Sequence, residues 1–403
     1  MNVYSSITFF YPSRIVGGAE FLFLRLAKIL SQKYLLDVYY IDFLDGFARK
    51  MSDSESRSIK FLEFGRFSKV QLPPNTIIIT PLSSIIDVLR YFKADRKTLL
   101  LFWSIQPLGL RNSLNYYFGF PNSTADTDSY RKSLDKMSSL DAIYFMDGPN
   151  FYIQKHQFNY NISEPKFIPI PCQLSDSKTN NKEVDVTHIN IGWLGRLSEE
   201  KIHSLTNILS HAKSLVIKEN IDLTIHVIGE GDMSFNVENY PRIQVVFLGS
   251  LIGDHLTNYL SNNIDLLFAM GTSTLEGASL KIPTILVDFS YDLIPTTNSF
   301  RWLYESTNFS LGNLYSPNVK YSHTFNQLIL DMNTKSFQYH GQLCYDYARA
   351  NHDIEGVALK LLDAISSTKM SMVDLTETHF NKFKISLWLV RLKSYIKYIW
   401  KKY

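Results

Sequence analysis

The stretch Gly192-Trp-Leu-Gly-Arg-Leu-Ser-Glu-Glu-Lys201 decides the fold class. It continues the apolar run His188-Ile-Asn-Ile191, which reads as a strand, and it opens a helical pattern that ends near Lys218. A strand that ends in glycine and passes into a helix leaves backbone N–H groups free at its tip. Arg196 and Lys201 place two cations beside that tip. This arrangement can hold a diphosphate without a metal ion. The same residues also make an ordinary strand–loop–helix with two solvated cations, and a short motif alone does not separate the readings.

Outward from this segment, short apolar runs alternate with helical patterns. Candidate strands are Ile7–Phe10, Leu36–Ile41, Thr76–Thr80, Thr98–Trp103, Ala142–Phe145 and Phe167–Ile170, then His188–Leu194, Leu223–Ile228, Gln244–Leu248, Asp265–Phe268 and Thr284–Val287. Most lack strict alternation, as strands buried on both faces do. Helical patterns fall between them, among them Ala19–Gln32, Ser83–Phe92, Glu199–Lys218 and Gly253–Ser261. The βαβα order predicts parallel sheets. The polar, aperiodic stretch that starts at Gln173 reads as a linker. The expected organisation is therefore an α/β domain over 1–172, a linker over 173–186 and a second α/β domain over 187–353. A returning helix over 354–370 and a basic tail over 371–403 follow. Two parallel sheets whose carboxyl edges face one another suit an enzyme with two substrates.

At 403 residues the chain is long enough for two or three domains, and 45% hydrophobic residues supply their cores. Cys172 and Cys344 lie far apart, which is no disulfide framework and predicts a reducing, cytoplasmic setting. Met1-Asn-Val-Tyr-Ser-Ser runs into a strand pattern without a basic start, so no signal peptide is expected. No apolar stretch is long enough for a spanning helix. The net charge is +3, but Thr378–Tyr403 holds seven cations and no acid; taking those seven from +3 leaves −4 for residues 1–377. A nucleic-acid partner is not expected, since its binder more often spreads basic residues over a folded face. On a helical projection Ile385, Trp388, Leu389, Leu392, Ile396 and Ile399 share one side, and Lys393, Lys397 and Lys401 lie opposite. An apolar face with a lysine back predicts that residues 379–403 lie on an anionic membrane surface. A terminal helix docked on the first domain would carry the same pattern.

Further motifs occur in order. Pro12-Ser-Arg-Ile-Val-Gly-Gly-Ala-Glu20 lies between the first strand and the first helix. Val227-Ile-Gly-Glu-Gly-Asp232 and Val246-Phe-Leu-Gly-Ser250 each end a strand, and Gly271-Thr-Ser-Thr-Leu-Glu276 leads to Ile282-Pro-Thr. With Gly195-Arg196-Leu197 and Glu200-Lys201 they resemble the group 1, or family 4, retaining glycosyltransferases. The resemblance spans about residues 1–365 and is densest in the C-terminal half. It implies the α/β GT-B fold of two facing Rossmann-like domains with parallel sheets, to which the tail adds a C-terminal amphipathic helix. It places the acceptor on the first domain and a UDP- or GDP-linked sugar donor on the second. Arg196 and Lys201 match the cations that neutralise the donor diphosphate. Gly17 and Gly18 match a glycine pair whose backbone approaches a phosphate or the transferred sugar. Gly195 belongs to the diphosphate loop, and Gly249 and Ser250 fall where the family's chain passes the base. Gly271, Thr272 and Ser273 open a helix toward the pyrophosphate, and Glu276 matches the glutamate that accepts the ribose hydroxyls. A carboxylate repels phosphate but accepts two vicinal hydroxyls well, which agrees with that assignment.

Two positions depart from the family. Eight residues before Glu276 stands Phe268, where the family's first glutamate contacts the transferred sugar or helps position the reacting centre. After the fourth strand, Gln106 stands where many relatives place a histidine; glutamine can bond a sugar hydroxyl but cannot act as a base. Retaining transfer in this family is described as same-face attack with the leaving phosphate taking the proton, so no protein base is obligatory. Trp103 reads as core or as a neighbour of Gln106, and Asp147 as a turn residue or an acid at the sheet edge. Asp126-Thr-Asp128 has the form of a metal-binding Asp-x-Asp but no strand before it; it reads as a polar loop or a helix cap, and no metal is expected. The expected function is transfer of a hexose or related sugar, with retention of the anomeric configuration, to a glycan or lipid-linked glycan in bacterial surface polysaccharide assembly. A non-catalytic scaffold, or an epimerase or phosphorylase of the same architecture, is the alternative.

Overall fold

In a computed structural model of the chain the described residues are 4–15, 17–52, 58–65, 69–93, 95–118, 124–174, 182–231 and 240–381. The chain forms two compact units, one of residues 1–171 with 354–403 and one of residues 172–353.

The first unit is a six-stranded sheet. Its strands are β1 (Ser6–Phe10), β2 (Val38–Asp42), β3 (Ile59–Glu63), β4 (Thr76–Pro81), β5 (Leu99–Ser104) and β6 (Ile143–Phe145). They pair in parallel in the order β3-β2-β1-β4-β5-β6. This is the doubly wound order, with its switch point between β1 and β4. Helices α1 (Gly18–Gln32), α2 (Phe47–Lys50), α3 (Ile85–Tyr91), α4 (Gly109–Phe118), α5 (Thr124–Ser139) and α6 (Gly148–Phe158) make the crossovers. β1 and β4 are buried along their whole length, as a two-face-covered strand must be.

The second unit repeats the plan. β7 (His188–Leu194) leads into α7 (Glu199–Lys218), then β8 (Asp222–Ile228), β9 (Ile243–Gly249) and α8 (Gly253–Asn263). β10 (Leu266–Ala269), α9 (Thr272–Ser279), β11 (Thr284–Leu286) and β12 (Arg301–Trp302) follow, then α10 (Phe325–Leu330) and α11 (Thr334–His352). The sheet order is β12-β11-β10-β7-β8-β9, the same doubly wound order read from β9, with the switch point between β7 and β10. One aromatic and aliphatic cluster, with Trp193, Phe268, Phe300 and Phe325, covers one side of the sheet; a smaller one, with Ile228, Ile264 and Leu267, forms a second core.

The chain returns to the first unit at α12 (Ile354–Ser367), which packs along α1 and pairs Glu355 with Lys33. α13 (Met372–Thr376) then closes the sheet. Leu100 donates to the Met370 carbonyl at 2.8 Å and Met372 to that of Thr98 at 2.9 Å.

The structure differs from the sequence reading at five points. β3 is an edge strand with half-exposed side chains, so its weak pattern escapes a search for buried runs, and β12 is a two-residue strand antiparallel to β11. Phe167–Ile170 is not a strand; Phe167 alone bridges to Phe145. Asp126–Asp128 lies in the first turn of α5 rather than in a loop, and Asp128 pairs with Arg131 and Lys132 on its own helix. The start of the tail is core: Met372, Leu375 and Phe380 are fully buried, and His379 rests edge-on against Tyr130 at 4.8 Å. Residues 371–381 are therefore structural, and the membrane expectation concerns residues 382–403, which lie outside the described residues. Among the described residues no helix is long and apolar enough to cross a membrane.

Candidate functional site

In a doubly wound sheet the ligand crevice opens at the switch point, beyond the carboxyl ends of the strands. In the second unit that point lies between β7 and β10, whose last residues pair as Leu194 and Ala269. The loops carrying Gly195-Arg196 and Met270-Gly271 leave the sheet side by side.

Gly195 donates to the Ile228 carbonyl at 3.0 Å and Leu197 to that of Glu230 at 3.0 Å, which fastens the β7–α7 loop to the end of β8. A Cβ on Gly229, at φ +138°, would collide with the Gly195 carbonyl, and one on Gly231 with that of Leu197. Gly229 also donates to the Gly249 carbonyl at 2.8 Å, and the Glu230 carboxylate accepts from the Ser250 amide at 3.3 Å. Gly195, Gly249 and Ser250 thus belong to one tied set of loops at the ends of β7, β8 and β9. Sequence reasoning did not assign Glu230 a role there. Its position between two glycines at a strand end was the available signal.

Arg196 is exposed and Lys201, in the first turn of α7, is half-buried. Neither forms an ion pair among the described residues. Burial pulls the Lys201 ammonium below its ordinary pKa; neighbouring Glu200 opposes the shift and Arg196 adds to it. An ammonium held in this way gains from an incoming anion. The α7 N-cap, Ser198, makes no side-chain cap bond, so the helix offers uncapped amides beside the two cations.

Across the switch point, Gly271 caps α9 at φ 64°, a conformation that favours glycine, and a Cβ there would meet nothing within 4 Å. Thr272 and Ser273 are the first two residues of α9 and not its cap. No side chain caps the turn, and the Gly271 amide is taken by the Leu311 carbonyl at 2.6 Å. Glu276 is the fifth residue of α9, half-buried, and its carboxylate takes no hydrogen bond or ion pair among the described residues. Two cations, two uncapped helix starts and a carboxylate one turn further in can bind a diphosphate next to a diol.

The connection from β10 to α9 is only Met270-Gly271, so counting eight residues back from Glu276 lands inside the sheet. Phe268 is fully buried, edge-on to Phe300 and stacked with Phe325. No carboxylate fits that core. The sheet edge beside it is covered instead by the segment Ser310–Leu314, where Phe289 donates to the Asn313 carbonyl and Gly312 stands at φ 130° against the Val287 carbonyl.

The remaining residues lie in the first unit. Gln106 is exposed after β5, while Trp103 is buried and donates to the Ile168 carbonyl at 2.8 Å, a core role. Asp147 caps α6, accepting from the Asn150 amide and side chain at 2.8 Å each, and burial pushes its carboxyl up to about 6. Gly17 is the N-cap of α1 and Gly18 its first residue. Gly17 has φ −159°, ordinary extended backbone; a Cβ there would stand 2.6 Å from Glu20 Oε2 and would displace that carboxylate.

No protein-family model matches the chain, and no curated protein matches it. Solved structures do. A glycosyltransferase from Rickettsia africae superposes with TM-score 0.52 at 13% identity, over 90% of this chain and 98% of that one. HepE of Anabaena, in complex with UDP and glucose, superposes with TM-score 0.51 at 12% identity, over 90% of this chain and all of that one. The fold is GT-B. At these identities the likeness establishes the architecture of two Rossmann-like units, the class that the motifs pointed to, and the chemistry rests on the residues described above.

Proposed function

We propose that the protein is a glycosyltransferase that moves a sugar from a UDP- or GDP-linked donor to a glycan or lipid-linked acceptor. The observation that carries this reading is the Arg196–Lys201 couple, without an ion-pair partner among the described residues, at the uncapped start of α7, beside the switch point. As the glycosidic bond breaks, negative charge develops on the leaving diphosphate. Preorganised cations and helix starts stabilise that charge. Glu276, one turn into α9, accepts the ribose hydroxyls, and Gly249 and Ser250 flank the base. The neighbours' names support the same reading: HepE was solved with UDP and glucose. Attack on the same face, with the departing phosphate taking the acceptor proton, needs no protein base and would retain the anomeric configuration. A thermal-shift screen against UDP, GDP, CMP and their sugars, followed by donor hydrolysis, tests the reading. Stabilisation by one nucleoside diphosphate and its release from the sugar form are expected. No stabilisation by any of them would leave only a scaffold with this fold.

The diphosphate is neutralised by side chains in this account, so activity is expected to survive EDTA and the Asp126→Ala/Asp128→Ala double substitution. Loss of activity that Mg²⁺ or Mn²⁺ restores would replace the account with a metal-assisted one.

Membrane association is proposed for residues 382–403. Each of its seven cations is worth up to about 1 kcal/mol near an anionic surface, and lysine stems can snorkel while the apolar face inserts. Truncation after Asn381 is expected to abolish sedimentation with phosphatidylglycerol vesicles while the melting temperature stays put. Truncation after Glu377 also removes buried Phe380, at a cost of about 3–5 kcal/mol, and should lower the melting temperature. Vesicle binding by the Asn381 truncation equal to that of the full chain would show that the tail is not the anchor.

A further inference from the structure

The loop between β1 and α1 presents a carboxylate where a phosphate loop would present only backbone. Glu20, in the first turn of α1, is 9% exposed. Its Oε1 accepts from the Ser13 hydroxyl at 2.9 Å; its Oε2 takes no hydrogen bond among the described residues and lies in the gap left by Gly17. The Ser13 partner of this contact is itself tied down. The Ser13 amide donates to Asp42 Oδ1 at 3.1 Å, and Asp42 also accepts from the Phe43 and Arg49 amides at 2.9 and 3.3 Å. The Phe47 amide donates to the Ser13 carbonyl at 2.7 Å, and a Cβ on Gly46 would collide with the Asp42 carboxyl group. A second observation is independent of the first. The Tyr40 hydroxyl is fully buried and has no hydrogen-bond partner. It lies within the electrostatic reach of Asp42, Tyr11 and Glu20. An orphaned buried hydroxyl among these groups marks a polar position that the protein leaves unsatisfied.

We propose that Glu20 Oε2, reached through the gap at Gly17, is a hydroxyl-accepting contact for a sugar ring, and that this loop recognises a polyol and not a phosphate. The inference deepens the glycosyltransferase reading and rests on it. A fixed carboxylate at the start of α1 cancels the attraction that the helix start holds for anions, and two phosphate charges beside it would repel. Vicinal hydroxyls donate to a carboxylate as two charge-assisted bonds. The probes below separate the possible sources of the ring.

Two substitutions test it. Glu20→Gln keeps the acceptor for Ser13 and removes the charge. Gly17→Ala puts a methyl group 2.6 Å from Oε2 and closes the gap. Calorimetry is run with UDP, GDP, UDP-glucose and GDP-mannose, and octyl glucoside, octyl galactoside and octyl mannoside are followed by ligand-observed NMR. Both variants are expected to weaken a sugar-bearing probe about 10-fold, the loss of a charge-assisted bond, while bare nucleotide affinity and melting temperature hold. Weakening confined to nucleotide-sugars assigns the subsite to the donor sugar; weakening of the glycosides assigns it to the acceptor. Wild-type binding of every probe by folded Glu20→Gln overturns the proposal, and so does tighter binding of bare UDP or GDP, which would place the carboxylate at the phosphates. If the wild-type chain binds no nucleotide, the donor reading has failed, and the octyl glycosides decide the Glu20 proposal by themselves.

Discussion

Replacing Arg196 or Lys201 by alanine is expected to reduce donor turnover by about 100-fold or more, the loss seen when one preorganised charge-stabilising group is removed from a leaving-group site. The two should not behave identically. Arg196 is exposed, and its charge is partly screened by solvent and salt. Lys201 is half-buried with no ion-pair partner among the described residues, so its charge acts through a less polar surrounding than that of Arg196, and its loss should be the more severe and the less salt-dependent. Neither side chain supports the fold through an ion pair, so both variants should melt near the wild-type temperature. Steady-state donor hydrolysis at two ionic strengths checks this. Wild-type rates in both variants would remove the diphosphate assignment.

The second large effect concerns Phe268. Restoring the family's glutamate at this position, as Phe268→Glu, is expected to prevent folding of the second unit. The ring is fully buried against Phe300 and Phe325. Deleting it as Phe268→Ala should cost about 3–5 kcal/mol, and a buried carboxylate without a partner adds a further penalty of several kcal/mol. Expression, near-UV circular dichroism and chemical denaturation of the two variants measure it. A folded and more active Phe268→Glu protein would show that the β10–α9 connection rearranges to present this residue to the ligand.

The same position shows what the sequence could reveal and where it stopped. α7 was read to the residue, Glu199–Lys218, because a buried strand, a glycine-bearing turn and an amphipathic period agree there. β3 was not read, since Ile59–Glu63 is an edge strand with only one fully buried side chain. The stretch around Asp126–Asp128 reads as a polar loop or helix cap because α5 is rich in charge, and the helix's support comes from Arg131 with Asp128 and Asp135 and from the C-terminal segment packed against it. At the candidate site, Arg196, Lys201 and Glu276 stand out by type and spacing. The crossing of Gly229 over Gly195, the Glu230 tie to Ser250 and the reason for Gly17 depend on which strands lie side by side, which no local pattern encodes. The family's spacing counted back from Glu276 reaches Phe268, and because only two residues connect β10 to α9 that position lies in the core.

The central claim, a nucleoside diphosphate held by Arg196 and Lys201, is tested most directly by calorimetric titration of UDP and GDP into the wild-type chain and the two alanine variants. The account predicts saturable binding of one of them to the wild type, at least 10-fold weaker in each variant while both remain folded. Equal affinity in all three proteins, or no binding of either nucleotide to the wild type, would contradict it.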